Sequence, residues 1–116
     1  MAKYEIKNGS PIFPEGITSI EEYAFAHCKE LTSVVVPEGV TSIGDKAFCD
    51  CKSLTSVIIP GSVNEIGEAA FFCCESLTDV TIPEGVKGIG RSTFRHCDEK
   101  LHHLIVEMEP EKRAKK

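Results

Sequence analysis

The chain has 116 residues, of which 41% are hydrophobic and 27% are charged, with 13 basic residues against 18 acidic ones. This length fits one modest domain, and the apolar content excludes a disordered chain because it can offset the ordering entropy. Every apolar run is far shorter than a bilayer span, so no membrane crossing is expected. Residues 1–5 lack the apolar core of a secretory signal, which predicts a cytoplasmic protein for the chain as written and an extracellular one if it is a fragment of a larger protein.

The charge is unevenly distributed. Residues 107–116 hold three acids and four bases and are predicted to form a charged, solvated tail. Residues 1–106 therefore carry a net charge of about −6, and their lysines and arginines are scattered singly. A body of this kind repels phosphate backbones, so we do not expect it to bind nucleic acid directly.

Internal repetition organises the chain. Phenylalanine recurs every 23 residues, at Phe25, Phe48, Phe71 and Phe94. Dividing the sequence at its prolines gives four units, 14–36, 37–59, 60–82 and 83–106, the last with one extra residue near Lys100. Residues 1–13 precede them, and their Asn8-Gly9 pair favours a β-hairpin cap.

The second unit indicates how each repeat folds. Its apolar residues Ala47, Phe48, Cys51 and Leu54 are spaced as on one face of a short helix. The stretch 54–59 then alternates as a β-strand, and Pro60 ends it because proline cannot donate to a sheet. One such unit cannot bury its own apolar face, so the units are predicted to stack.

The predicted fold is therefore an α/β repeat: a short solenoid of about four 23-residue units with a parallel β-sheet on one face and short helices on the other. The last plausible strand lies near residues 105–108, so the C-terminal end is thinly capped. An exposed solenoid end favours association, which predicts a homodimer through the C-terminal repeat.

Four cysteines follow the same period as the phenylalanines. They are Cys28, Cys51, Cys74 and Cys97. A cysteine that recurs on a buried face acts as a small apolar filler, so we interpret both sets as structural ladders. Parallel side chains and a reducing compartment argue against disulfides between them.

Two further cysteines, Cys49 and Cys73, lie off this ladder and are predicted to face solvent. Together with Cys51 and Cys74 they would supply four sulfurs for a zinc site, but tetrahedral sites usually need wider spacing. The favoured interpretation is oxidation-prone thiols without a metal, and no cofactor is expected. No phosphate loop, nucleophile elbow or zinc-helix motif occurs, so we expect no enzymatic activity.

Strand alternation predicts two outward rows on the sheet face. The first row is expected to contain Ser33, Ser56, Asp79 and His103, and the second Val35, Ile58, Thr81 and Ile105. The repeats differ from one another mainly at these positions. A strip of β-branched hydrocarbon beside polar groups is typical of a protein-binding surface, although exposed Val and Ile also occur in strands for their propensity alone.

The unit at 37–59 closely resembles the BspA-like, or Treponema-type, leucine-rich repeat. Shared features are the period, the Ile-Gly pairs that begin at 43, 66 and 89, the Ala-Phe pairs that begin at 24, 47 and 70, and the cysteine ladder, across residues 14–106. The resemblance implies a parallel-stranded horseshoe without catalysis, usually part of large secreted or surface proteins that bind host or cell-surface molecules.

These observations predict a non-catalytic protein–protein interaction module that binds a partner through the outward face of its parallel sheet. One alternative is a surface-adhesion module or a fragment of a larger secreted protein. Another is a small acidic intracellular inhibitor that blocks a basic nucleic-acid-binding surface of a larger protein. Binding that is lost with rising salt would favour that inhibitor, because surface charges are screened.

Overall fold

The computed structural model describes residues 4–90 and 92–101. Within these residues the regular structure is short β-strands and one 3₁₀ helix, Glu99–Leu101. The strands are β1 (Ile6–Lys7), β2 (Ser10–Pro11), β3 (Ser19–Ile20), β4 (Ser33–Val35), β5 (Ser42–Ile43), β6 (Ser56–Ile58), β7 (Glu65–Ile66), β8 (Asp79–Thr81) and β9 (Gly88–Ile89).

Two parallel sheets form two sides of each coil. One has the strand order β3-β5-β7-β9 and the other the order β4-β6-β8. Residues 23 apart are paired throughout, as in Val34 with Val57 and Val57 with Val80. The predicted parallel-stranded repeat solenoid is therefore confirmed.

The third side of each coil consists of turns where the sequence predicts short helices. On this side two residues per coil have positive φ, and they lie four apart, as with Lys46 (57°) and Asp50 (62°). A left-handed residue ends helix propagation, so the backbone N–H groups bond elsewhere. Every second one reaches the next coil; for example, Phe48 N donates to Ala70 O at 2.7 Å. Backbone hydrogen bonds thus join consecutive coils on all three sides.

The buried positions nevertheless agree with the predicted apolar face, because Ala47, Phe48, Cys51 and Leu54 are all fully buried. The phenylalanines form a stack through the core. Their ring centroids are 5.1 Å apart from Phe25 to Phe48, 5.1 Å from Phe48 to Phe71 and 5.6 Å from Phe71 to Phe94, with interplanar angles of 8° or less. Each coil therefore adds one ring, and about 5 Å, to the solenoid.

The inserted residue in the last unit is absorbed locally. The 3₁₀ helix Glu99–Leu101 places Leu101 in the core with 1% exposure, at the position that Leu77 occupies one coil earlier. The expected last strand, the candidate residues His103 and Ile105, the C-terminal dimer surface and the tail 107–116 lie outside the described residues.

A β-hairpin covers the N-terminal end of the stack, as the Asn-Gly pair predicts. Asn8 and Gly9 both have positive φ, 53° and 83°, which suits a two-residue hairpin turn. The Tyr4 and Phe13 rings lie 5.4 and 5.8 Å from the Phe25 ring. The hairpin therefore ends the phenylalanine stack with two further aromatic rings.

In each of the last three coils, one glycine lets consecutive backbones approach. A Cβ on Gly67 would lie 2.5 Å from the backbone nitrogen of Asp45. Gly44 and Gly90 are equally crowded by the preceding coil, at 2.6 Å from Glu22 N and 2.3 Å from Glu68 N. These glycines are thus required by the contact between coils, since none of them has positive φ.

Candidate partner-binding surface

The sheet β4-β6-β8 has one buried and one outward face. Val34, Val57 and Val80 point into the core, with 1%, 1% and 6% exposure. Because side chains alternate along a strand, their neighbours point outward. Val35 and Ile58 are 63% and 50% exposed, and Thr81 is also exposed. The structure thus brings together the described members of the second predicted row.

The N-terminal hairpin extends this face by one further strand. Gly9 O accepts hydrogen bonds from Thr32 N (2.8 Å) and Ser33 N (3.2 Å), so β2 lies beside β4. Ser10 Oγ lies 3.0 Å from Ser33 Oγ, which sets a 23-residue register. In this register Ile12, two residues further along, corresponds to Val35, and it is 47% exposed.

Sequence reasoning missed Ile12, although one signal would have found it: Ile12 precedes Val35 by 23 residues. We call this apolar line the outward row. It contains Ile12, Val35, Ile58 and Thr81. Among the described residues four large apolar side chains are exposed, and three of them belong to this row.

The fourth, Tyr23, lies on the turn side and is covered differently. Lys46 Nζ of the next coil lies 5.6 Å from the centre of its ring, within range of a cation–π interaction. Each member of the outward row instead lies two residues after a serine, or after Asp79 in the last case, and two residues before a proline. The exposed ring of Tyr23 and the exposed side chains of the outward row therefore have different surroundings.

One flank of the outward row carries the first predicted row. We call it the hydroxyl row; it contains Ser10, Ser33, Ser56 and Asp79. The three serines are half-buried and Asp79 is exposed. This flank therefore presents hydrogen-bond donors and acceptors at regular intervals, and it carries one negative charge at its C-terminal end.

The other flank is negatively charged. Past the proline that ends each strand, Glu15, Glu38 and Glu84 occupy equivalent positions, and all three are exposed. Gly61 occupies this position in the third coil. The corners stack on one another, since Gly39 N donates to Ser62 Oγ at 3.1 Å. We call these three glutamates the acidic corner.

Four side chains on the turn side form one ion-pair network. His27 Nδ1 lies 2.8 Å from Asp50 Oδ2, and Lys52 Nζ lies 2.8 Å from Asp50 Oδ1 and 3.3 Å from Glu75 Oε2. The hydrogen bonds from Lys52 and His27 lower the pKa of the Asp50 carboxyl. Part of the charge on the turn side is therefore neutralised within the molecule.

The thiol ladder is part of the core. Cys28, Cys51 and Cys74 are buried and Cys97 is half-buried. Three of these thiols donate to carbonyls of the preceding coil: Cys51 Sγ to Phe25 O at 3.0 Å, Cys74 Sγ to Phe48 O at 2.9 Å and Cys97 Sγ to Phe71 O at 3.1 Å. Burial raises the pKa of the Cys28 thiol, and that of Cys97 to about 11. These thiols fill space and donate weak hydrogen bonds.

Cys49 and Cys73 are half-buried, and both are free thiols. Burial raises the pKa of the Cys49 thiol. Across residues 4–90 and 92–101, no group of three or more histidine, cysteine, aspartate or glutamate side chains is arranged to hold a metal ion. In the same ranges, no helix is long and apolar enough to cross a bilayer.

Comparison with known proteins defines the class first. The architecture, with 23-residue coils joined by parallel strands, is that of a leucine-rich repeat solenoid. The family model of the BspA type leucine rich repeat region matches residues 3–112 in six copies. This chain therefore belongs to the BspA-type leucine-rich repeat family.

Two solved structures are similar. A leucine-rich repeat protein from Bacteroides ovatus is 30% identical with a TM-score of 0.69, covering 84% of this chain and 28% of that one. A leucine rich cell surface protein from Faecalibacterium prausnitzii is 30% identical with a TM-score of 0.57, covering 83% of this chain and 31% of that one. This chain thus spans about a third or less of their lengths. Among curated proteins, none matches.

Family membership bears on function only broadly. Repeats of this type are protein-interaction or surface modules, and the family and fold are typically non-enzymatic. The predicted class of function, a repeat module for protein interaction, is thus supported at the level of the family.

Proposed function

We propose that the chain is a non-catalytic protein-binding module whose contact surface is the outward face of the sheet β4-β6-β8. The observation that carries the proposal is the outward row itself. Val35 is 63% exposed and Ile58 50% exposed, on adjacent strands paired in register. A contiguous apolar strip flanked by polar groups is how protein-binding surfaces are built.

The scaffold supports this role. Each strand of the sheet is fixed from below by a buried valine, and the central strand β6 is also paired with a strand on both sides. A partner would therefore meet a surface whose shape is set before binding, which lowers the entropic cost of association. Loops that would enclose a small substrate are absent from the coils in the described part, since each keeps the 23-residue length up to the inserted residue.

The setting we favour is the cell surface, as part of a longer protein. The named similarity to a cell surface protein supports this setting, as does the small share of both similar proteins that this chain covers. The alternative is the small acidic intracellular inhibitor. The net charge of −5 is the observation that supports it.

The test compares binding by the wild type with binding by a Val35→Arg/Ile58→Arg variant. Both substitutions are on the outward face and leave every core ladder intact. A matched control, Thr41→Arg/Asn64→Arg, makes the same charge change at exposed positions on another side of the coils. Each protein is immobilised and exposed to a peptide display library, and the retained sequences are compared.

We expect sequences that are retained by the wild type and by the control but lost with the outward-face variant. Retention by all three proteins would overturn the proposed surface. A different result would favour the acidic inhibitor instead. In that case the wild type would lose its peptides between about 50 and 200 mM salt, and the retained peptides would not need apolar residues.

A further inference from the structure

The spacing of the outward row restricts what can lie along it. Consecutive coils are about 5 Å apart, since the ring centroids of neighbouring phenylalanines in the stack lie 5.1, 5.1 and 5.6 Å apart. The row has one member in the hairpin and one in each of three successive coils, from Ile12 to Thr81, so it extends about 15 Å over three steps. A partner that contacts every member must present apolar groups at that interval.

An α-helix meets this requirement and an extended strand does not. Helix positions i, i+3, i+7 and i+10 lie on one side and span ten residues, which is about 15 Å at 1.5 Å per residue. Four alternate residues of an extended strand span about 20 Å at 3.3 Å per residue. A strand running along the solenoid axis would therefore lose register with the row by about one coil.

The flanks of the row indicate the charge of the partner. Glu15 and Glu38 are exposed on one flank, and Asp79 is exposed at the end of the other. No lysine or arginine occupies a hydroxyl-row or acidic-corner position in the described coils. Electrostatic complementarity then favours lysine or arginine beside the apolar stripe of the partner, on the side that faces the acidic corner.

The same charges disfavour a second copy of this chain as the occupant. Two copies facing each other through this sheet would bring together two bodies that each carry excess negative charge. Their apolar rows would match in spacing, but in the arrangement that places the two acidic corners opposite each other, these corners would repel.

We propose that the outward row binds a cationic amphipathic helix of a partner protein, which lies along the solenoid axis and places one apolar side chain against each coil. This inference rests on the proposed function, and it adds the conformation and the charge of the partner. Specificity comes from the 5 Å coil interval, and orientation from the acidic corner on one flank only.

The test uses three fluorescently labelled synthetic peptides of about 18 residues, long enough to form a helix. The first has leucine at the four helical positions and lysine on one flank. The second has the same composition with leucine at alternate positions, and the third has glutamate in place of lysine. Binding is measured by fluorescence anisotropy at about 150 mM salt, where long-range attraction is largely screened.

We expect the first peptide to bind about tenfold or more tightly than either of the others. Val35→Ser/Ile58→Ser is expected to weaken it about tenfold, and Glu15→Gln/Glu38→Gln about threefold. The control Glu65→Gln/Glu68→Gln, at exposed acids elsewhere on the coils, is expected to change binding little. Circular dichroism of each variant checks that it is folded.

Equal binding of the helical and alternating peptides would overturn the inference, as would equal effects of the two glutamate-to-glutamine variants. Failure of all three peptides, with library sequences still lost on Val35→Arg/Ile58→Arg, would overturn the helix and leave the proposed function standing. Self-association of the wild type that the outward-face variant abolishes would assign the row to a second copy.

Discussion

Two apolar stacks run the length of this solenoid, and they have opposite roles. Phe25, Phe48 and Phe71 are fully buried and repeat without change, whereas Val35 and Ile58 are half or more exposed and the row varies from coil to coil. Both stacks follow from the same 23-residue translation. A position is therefore not buried in the core merely because it recurs every 23 residues. Whether its side chain points inward or outward from the strand decides that.

The largest effect is expected in the buried stack. Phe48→Ala removes a ring that stacks at 5.1 Å on both neighbours, so the free energy of unfolding should fall by about 3–5 kcal/mol. Urea denaturation followed by circular dichroism measures it. Ile58→Ala is the matched control and should change stability by less than about 1 kcal/mol. Similar losses for both variants would break the comparison, because the outward row would then be structural.

Two glycines allow the same comparison between a position packed against the preceding coil and an open one. In Gly67→Ala the new Cβ would meet backbone of the preceding coil at 2.5 Å, and we expect a loss of about 1–3 kcal/mol. A Cβ at Gly61 meets nothing within 4 Å, so Gly61→Ala should be neutral or stabilising by about 0.5 kcal/mol. Thermal denaturation of both variants measures this; a tolerated Gly67→Ala would show that consecutive coils can separate without cost.

A pH-dependent effect is expected where the buried stack ends. Tyr4 Oη donates to Glu21 Oε1 at 2.8 Å, and burial followed by this hydrogen bond raises the pKa of Tyr4 from 10.0 to about 12. The folded state thus favours the protonated phenol, so its contribution is complete below pH 10 and is lost as pH rises towards 12. The stability difference between wild type and Tyr4→Phe should shrink over that range. A difference independent of pH would mean that the phenol is solvated in the folded state.

The smallest effect on the fold is expected at the two outer thiols. Cys49 and Cys73 are half-buried, whereas Cys51 and Cys74 are buried in the core. Alkylation of the native protein should therefore modify Cys49 or Cys73 first and leave the protein folded. Peptide mass spectrometry of a labelling time course identifies the order. Early labelling of Cys51 would indicate that the coils open readily.

Much of this fold could be predicted because the same sequence pattern occurs in four units, so each unit supports the same interpretation. The buried face of the second unit, the strand alternation around Val57 and the Asn8-Gly9 hairpin all appear in the structure as expected. The short helices do not, because the spacing of Ala47, Phe48 and Cys51 suits a helix and a stacked turn equally well. Hydrogen bonds to the next coil, such as Phe48 N to Ala70 O, decide between them.

The candidate surface was partly predictable for the same reason. Val35, Ile58 and Thr81 follow from alternation within a strand, which is a local property. Ile12 does not, since it belongs to a hairpin whose second strand joins the sheet only through contacts with Thr32 and Ser33. The acidic corner likewise becomes a flank of the surface only once Glu15 and Glu38 are stacked on adjacent coils.

The sequence by itself determined the period, the buried columns and the parallel stacking, because a 23-residue unit with one apolar face has no other way to remove that face from water. Only the tertiary structure decided that the third side is built from turns and that the N-terminal hairpin extends the sheet. It also decided that an apolar row and an acidic corner run side by side. The physical reason is that these features depend on hydrogen bonds and contacts between coils, which no single repeat contains.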